Sequence, residues 1–438
     1  MLRANNTMLK LYRLSLLVVC LLIIQGIAHP VRAEKVYLDI SNPNFRKLIV
    51  AVPYFTDLSP RGGSGAKGRE MAELLSRALE FHGFAEVIDP LKYGGGADAN
   101  WTGLGVDYVL MGRFETAGSG MMIEGKLLNV SKNDFLSGLR YRGSVKQQND
   151  MVLRLCDSFV EQFTGTSGVS RTKIAYVSDS SGHKEVYMSD VLGLEERQVT
   201  RHRNLVVSPR LSRDGRYLAY SSYHAGNQNL YLTDLRQDKI TTAISRRKGM
   251  NLAPAWSPDN KSMVVTLSKD GSPDLYLMST SGKIIRQLTK RAGINVSASW
   301  SPDGSKIVFV SDRSGSPQLY IMNMRNYNVQ RLTFSGSENT EPNWSPKGDS
   351  IVFTGMIDGR YQLFTIDPAG KTGHKQLFSD WGDCESPSWS PDGKQLVFSR
   401  RRNGKQELCV ISRYGKNLRV FLERKGNLAY PQWSGYLP

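Results

Sequence analysis

One stretch of this chain has the composition of a phosphate-cradling loop. Gly63, Gly65 and Gly68 in GSGAKG satisfy G-x-G-x-x-G ahead of a helical segment, and Asp89 follows 21 residues after Gly68. In a dinucleotide fold the first glycine turns tightly off a strand, and the helix N-terminus meets the pyrophosphate. Here the strand pattern ends near Phe55, so a polar stretch intervenes where that tight turn belongs. We read GSGAKG as a loop before a helix, and no cofactor is expected. Beyond residue 33 the histidines are His82, His183, His202, His224 and His374, and none has metal-ligand spacing to another His or to a Cys. No metal site is expected either. Asp214, Asp259, Asp303 and Asp392 sit in turn phrases and read as turn formers rather than catalytic acids. No G-x-S-x-G and no P-loop occurs. The residues point away from catalysis.

The elements that carry these residues begin after an export segment. Arg3, Lys10 and Arg13 precede a 15-residue apolar run at 14–28, and Val31-Arg32-Ala33 offers a cleavage site. The run is short for a bilayer span. Residues 1–33 are therefore expected to be a signal peptide, leaving a protein outside the cytoplasm with no membrane span. The formal charge of +17 becomes +13 once Arg3, Lys10, Arg13 and Arg32 leave with that segment. Export removes nucleic acid from reach, so the basic excess suits a solvated surface and, secondarily, acidic partners or envelope surfaces. Cys156, Cys384 and Cys409 remain, too few for a disulfide framework. Cys156 falls on a helical apolar stripe and reads as a packed thiol, while a Cys384–Cys409 bridge stays open as the minor alternative.

Internal repeats decide the architecture. The phrases RLSRDGRYLAYSS, AWSPDNKSMVVTLS, SWSPDGSKIVFVS, NWSPKGDSIVFTG and SWSPDGKQLVFSR recur, followed by a last QWSGYLP. Their key position is Leu211, Trp256, Trp300, Trp344, Trp389 and Trp433, spaced by 44 or 45 residues. A second series, Tyr187, Tyr231, Tyr276, Tyr320, Phe364 and Cys409, has the same period. A looser RQLT phrase ends several units, as at 197–200, 286–289 and 330–333. Ser-Pro-Asp-Gly is a turn, with Pro fixing φ and Gly taking the left-handed position, where Asn260 stands in once. The alternating, β-branched runs that follow read as half-buried strands. Some 44 residues with four strands is one propeller blade. Tyr187 lacks an upstream partner and Trp433 lacks a downstream one, so the two half-repeats complete each other. The count is six blades over 173–438, with the C-terminal strand closing the first; a stacked solenoid leaves no such complementary ends.

Residues 34–165 lack the repeat and read as a small α/β domain. LIVAVPYF, AEVID, VDYVLMGRF, MMIEGKLLNV and LSGLRYRGSV are strands; REMAELLSRALEFHGF and MVLRLCDSFVEQF are helices. TGTSGVSRT at 164–172 is small and polar, which predicts a flexible linker. The expected class is thus multidomain: α/β followed by an all-β six-bladed propeller.

Taken together, the export segment, the α/β domain, TKIAYVSD, the PxWSPDG repeats and the terminal PQWSGYLP resemble the TolB family, periplasmic propellers of the Tol-Pal system. The resemblance covers essentially the whole chain after residue 33. It implies a non-enzymatic, monomeric protein that binds TolA through its mature N-terminus and the lipoprotein Pal through its propeller. That system supports outer-membrane integrity and invagination at division. The matching N-terminal residues are Glu34, Lys35, Val36, Tyr37, Leu38, Asp39 and Ile40, which alternate as a strand does. The implied Pal contacts are Met250, Ala253 and Val296 with Asn251 and Asn295 beside them; Met250 and Val296 replace the family's His and Thr. Peptidases of the prolyl oligopeptidase type carry similar repeats, and such a hydrolase is the alternative. Those enzymes need a serine-elbow domain, whose motif is missing from this sequence.

Overall fold

Each repeat folds into a four-stranded antiparallel sheet, and six such sheets follow one another along the chain. The computed structural model describes residues 46–59, 65–237 and 240–437. The expected signal peptide at 1–33, the 34–40 segment, and Gly63 with Ser64 of the glycine-rich loop lie outside those residues. Among the described residues no helix is long and apolar enough to cross a membrane.

The inner strands, one per blade, are Leu428–Trp433, Val206–Leu211, Asn251–Trp256, Asn295–Trp300, Asn339–Trp344 and Asp383–Trp389, for blades 1 to 6. In blade 1 the C-terminal strand pairs with Lys173–Ser178, opposing Trp433 to Ile174 and Leu428 to Ser178. The ring is closed by its own chain end, as the unpaired half-repeats require. The second strands differ from expectation. Ser262–Leu267 and Lys306–Ser311 each bury five residues in succession instead of alternating. Both of their faces meet neighbouring blades, so a polar side chain has no water to point at. The marker aromatics lie between blades, with Tyr220 and Tyr231 stacked at 5.8 Å and Phe353 and Phe364 at 5.7 Å. The threonines of the RQLT phrase have a specific task. Thr289 and Thr333 hydroxyls accept the N–H of Leu275 and Leu319, both at 2.9 Å, where the third strand of the blade begins.

Before the propeller, β1 (Leu48–Ala51), β2 (Thr56–Asp57), β3 (Ala85–Val87), β4 (Tyr108–Ala117), β5 (Gly120–Asn129) and β6 (Asp134–Ser144) form one sheet. Its order is β3-β1-β4-β5-β6, with β2 beside β4. Helices α1 (Ala66–Phe81) and α2 (Gln148–Thr164) bury their apolar stripes together with this sheet, through Met71, Leu75, Leu155 and Phe159 among others. Gly68 lies so close to the strand exit that a Cβ there would overlap the Phe55 carbonyl oxygen. Asp89 caps a short 3-10 turn by accepting the N–H of Leu91 at 2.9 Å. Both residues of the dinucleotide-like pattern are thus occupied with backbone packing.

The polar run at 164–172 is a seam rather than a flexible linker. Val169, Ser170 and Thr172 are buried. The N–H of Val169 donates to His82 Nε2 at 2.9 Å, and that of Ser170 to Asp157 Oδ1 at 2.8 Å. Small residues are used here because the chain passes between two packed bodies; a Cβ on Gly168 would overlap Asp157. All three described cysteines are free and buried, so the bridge left open between Cys384 and Cys409 is not formed. Burial pushes the Cys156 thiol well up and raises Cys409 to about 12.

Candidate partner-binding surfaces

Antiparallel connectivity puts two kinds of loop at the two ends of the propeller. The turns after each inner strand, carrying the Ser-Pro-Asp-Gly phrase, lie at one end. The loops that enter each inner strand lie at the other and form a rim around the channel mouth.

The phrase end is built for rigidity. In the turn after Trp300, Ser301 Oγ donates to Asp303 at 2.6 Å and the Ser305 N–H donates to the same carboxylate at 3.1 Å. These bonds, that from Ser301 first, hold the Asp303 carboxyl at about 2. Gly304 and Asn260 occupy the left-handed position, at φ 71° and 59°. The tryptophans that recur with the repeat staple blade to blade: Trp256 Nε1 donates to the Arg210 carbonyl at 3.1 Å, Trp300 to that of Ala255 at 3.0 Å, and Trp389 to that of Asn343 at 3.1 Å. Together they line a cavity of about 360 Å³ at this end of the channel.

The α/β domain docks on the same end. Phe81, the last residue of α1, meets Trp433 with ring centroids 6.1 Å apart. Arg419 donates to the Phe81 carbonyl and to Gln395 Oε1, both at 2.7 Å, and lies 4.6 Å from the Phe81 ring centroid. Burial draws the Arg419 guanidinium down to about 10. Lys394 Nζ donates to Thr164 Oγ1 at 2.8 Å, and Tyr436 OH to the Ser167 carbonyl at 3.1 Å.

Midway, every inner strand shifts register by a bulge, as between Val296 and Ser299. Ser208, Ser297, Glu341, Ser386 and Tyr430 sit there at φ between 50° and 55°. The bulge turns these residues toward the axis. Glu341 accepts the N–H of Ser386 at 2.7 Å and its hydroxyl at 2.8 Å, beside a small cavity of about 60 Å³. Burial, then the neighbouring Glu341 charge, raise the Glu385 carboxyl.

The rim end carries the residues that the family resemblance singles out for Pal. Met250 is 41% exposed and Val296 is half-buried. Asn251 and Asn295 are wholly buried. Asn251 Nδ2 donates to the carbonyls of Gln228 and Arg247 at 2.9 and 2.8 Å, and Asn295 Nδ2 to that of Gly293 at 2.9 Å. Both asparagines therefore shape the loops from inside and present no side-chain surface of their own. Asn339 does the same in blade 5, donating to Gln318 Oε1 and the Ser335 carbonyl at 2.9 Å each. The side chain of Ala253 and the segment 34–40 lie outside the described residues. Sequence reasoning missed the rest of the rim. Leu205, Ile294, Phe334 and Trp381 are exposed there by 37, 48, 76 and 54%. The signal was available, because Leu205 and Ile294 occupy the repeat position of Met250. His202 and His224 stack at 4.1 Å on the same rim, and burial, then the His224 charge, lower the His202 imidazole.

A closed six-bladed propeller bearing an α/β domain on one end and an open apolar rim on the other defines a class, the two-domain β-propeller proteins. Residues 160–437 match the family model described as the TolB beta propeller domain. The chain belongs to the TolB β-propeller family. It is 46% identical over 275 residues to the Tol-Pal system protein TolB of Desulfotalea psychrophila, covering 62% of this chain and 63% of that one. It is 36% identical over 284 residues to the Tol-Pal system protein TolB of Desulfosudis oleivorans, covering 62% and 64%. The chain thus matches somewhat under two thirds of the length of these relatives. The crystal structure of TolB from Acinetobacter baumannii superposes with a TM-score of 0.78 at 26% identity, over 90% of this chain and 98% of that one.

Proposed function

We propose that this protein is the periplasmic, non-catalytic component of a Tol-Pal system, a monomer that binds TolA through residues 34–40 and Pal through the propeller rim. In that role it supports outer-membrane integrity and the invagination of the outer membrane at division. The observation that carries the reading is the rim around Met250 and Val296: exposed apolar side chains at the end of the channel that the α/β domain leaves open. Contiguous exposed apolar surface rimmed by polar residues is what protein partners bury. Family membership and relatives named as Tol-Pal system proteins support it further.

Calorimetry with purified TolA and Pal tests the assignment. Deleting 34–40 is expected to abolish TolA binding and leave Pal binding intact. Val296→Asp is expected to do the reverse, since an unpaired charge buried in an interface is costly. TolA binding by the deletion would disprove the N-terminal assignment, and failure of intact protein to bind either partner would disprove the whole reading. Sequencing the exported protein is expected to give Glu34 as its first residue.

A further inference from the structure

Charge is distributed unevenly around the rim. Going round the ring, the loops entering blades 1 to 4 carry exposed Lys425, Arg201 and Arg203, Arg246 and Lys248, then Lys290 and Arg291. Among the described residues none of these side chains has a carboxylate within ion-pair distance. The loops entering blades 5 and 6 differ: they hold Glu338 and Asp380, the latter paired with Arg400 and Arg402, with the aromatic residues Phe334 and Trp381. The nearby carboxylates Glu423 and Asp270 are themselves paired with Lys405 and Lys269, so the unpaired cations of these loops repel one another. Three of them also place one exposed aliphatic residue directly before the inner strand: Leu205, Met250 and Ile294.

We infer that the loops entering blades 1 to 4 form a docking arc for an acidic, aliphatic-bearing segment of a protein partner. The arc rests on the reading of the rim as a partner surface and names the chemistry that the partner must bring. Carboxylates meet the outer cations, and aliphatic side chains enter between Leu205, Met250 and Ile294. The repeat dictates this arrangement in blades 2 to 4, since each of those loops offers cations first and an aliphatic residue at its inner end. A flat anionic bilayer is a poorer fit. The aliphatic residues precede the innermost strands and so surround the channel mouth, inside the ring of cations, where a plane reaches them last.

The probes are a synthetic peptide alternating glutamate and leucine, its glutamine counterpart, and vesicles containing phosphatidylglycerol. The acidic peptide is expected to bind the full chain more tightly than the glutamine peptide and to weaken with salt. The triple variant R201S/R246S/K290S alters exposed, unpaired side chains and is expected to melt with the wild type. It should lose about threefold or more in affinity, because each exposed ion pair contributes a factor of about 1.4 to 5. The pair L205S/I294S should weaken binding at both high and low salt. Equal binding of the two peptides, an unchanged triple variant, no peptide binding, or binding to vesicles alone would each overturn the arc. Purified Pal run in parallel separates the two readings. Pal binding without peptide binding defeats the arc and spares the proposed function; peptide binding without Pal binding does the opposite.

Discussion

His82 sits at the seam with its protonation state written in its bonds. Nε2 accepts the Val169 N–H at 2.9 Å, so in the neutral ring Nδ1 carries the proton and donates to the Ala78 carbonyl at 2.7 Å. A second proton would point at the Val169 N–H. Burial lowers the imidazole pKa, opposed by the Asp157 carboxylate and, further off, by Asp392; Lys394 acts with burial. A histidine depressed in the folded state contributes stability that is present above its unfolded pKa and lost as pH falls through the folded value. Asp157 is raised by burial and acts with the opposite sign, its contribution being lost as pH rises through its folded pKa. That contribution lies toward the carboxylate range, so the loss just below pH about 6.5 comes from His82 together with His202 and His374, whose imidazoles burial also lowers. Melting temperature is expected to drop between pH about 7.5 and 5.5, each unit of depression being worth about 1.4 kcal/mol. His82→Gln should lower stability at neutral pH yet flatten the acid slope; an unchanged slope would show that His82 titrates freely.

At the scale of an element, the strand Leu428–Trp433 holds the ring shut. It fills the inner place of blade 1, and its Trp433 Nε1 donates to Thr172 Oγ1 at 2.8 Å. Two further bonds tie the strand sideways: Trp433 N–H to Ser388 Oγ at 3.0 Å, and Lys173 N–H to Ser434 Oγ at 3.0 Å. Deleting 430–438 exposes the edge of Lys173–Ser178, uncovers Asp383–Trp389 beside it and removes a buried indole. Losing such an aromatic costs roughly 3–5 kcal/mol, against a total stability of about 5–15 kcal/mol. Thermal melts of the truncated chain should fall sharply, and unpaired edges should promote self-association visible by light scattering. A melt equal to that of the intact chain would mean that closure does not depend on this strand.

For the molecule as a whole, the seam makes the α/β domain and the propeller one mechanical body. Phe81 is packed with Val169, Ile174 and Trp433 in the propeller's own core. The expected consequence is a single calorimetric unfolding transition shared by both parts. Arg419→Met removes the guanidinium bonds to Phe81 and Gln395 while keeping an apolar stem. Charge-assisted bonds of this kind are worth about 1.5–3 kcal/mol, so the variant should unfold in two resolved steps, the α/β part first. One transition at the wild-type temperature would place the coupling elsewhere in the seam.

Periodicity determined the propeller from sequence alone. A blade is a local unit, so Trp256, Trp300, Trp344 and Trp389 recur at the length of one blade whatever surrounds them. Ring closure was equally legible, because the half-repeats at Tyr187 and Trp433 need only be counted. Residues outside the period were harder to read. The run at 164–172 looked flexible because small polar residues suit both a mobile linker and a tight passage between packed bodies. Only the burial of Val169 and the bond from its N–H to His82 distinguish the two. Asn251 and Asn295 stand in the sequence only as neighbours of the contacts that the family resemblance implies, and sequence proximity does not show which way a side chain faces; the loop carbonyls that enclose them come from residues that fold back in three dimensions. The same holds for the basic arc. Arg201, Arg246 and Lys290 lie about one repeat apart in the chain, where composition shows only a general basic excess. The tertiary structure sets them on adjacent loops of one rim, because six blades in a ring bring every equivalent loop to the same end of the channel.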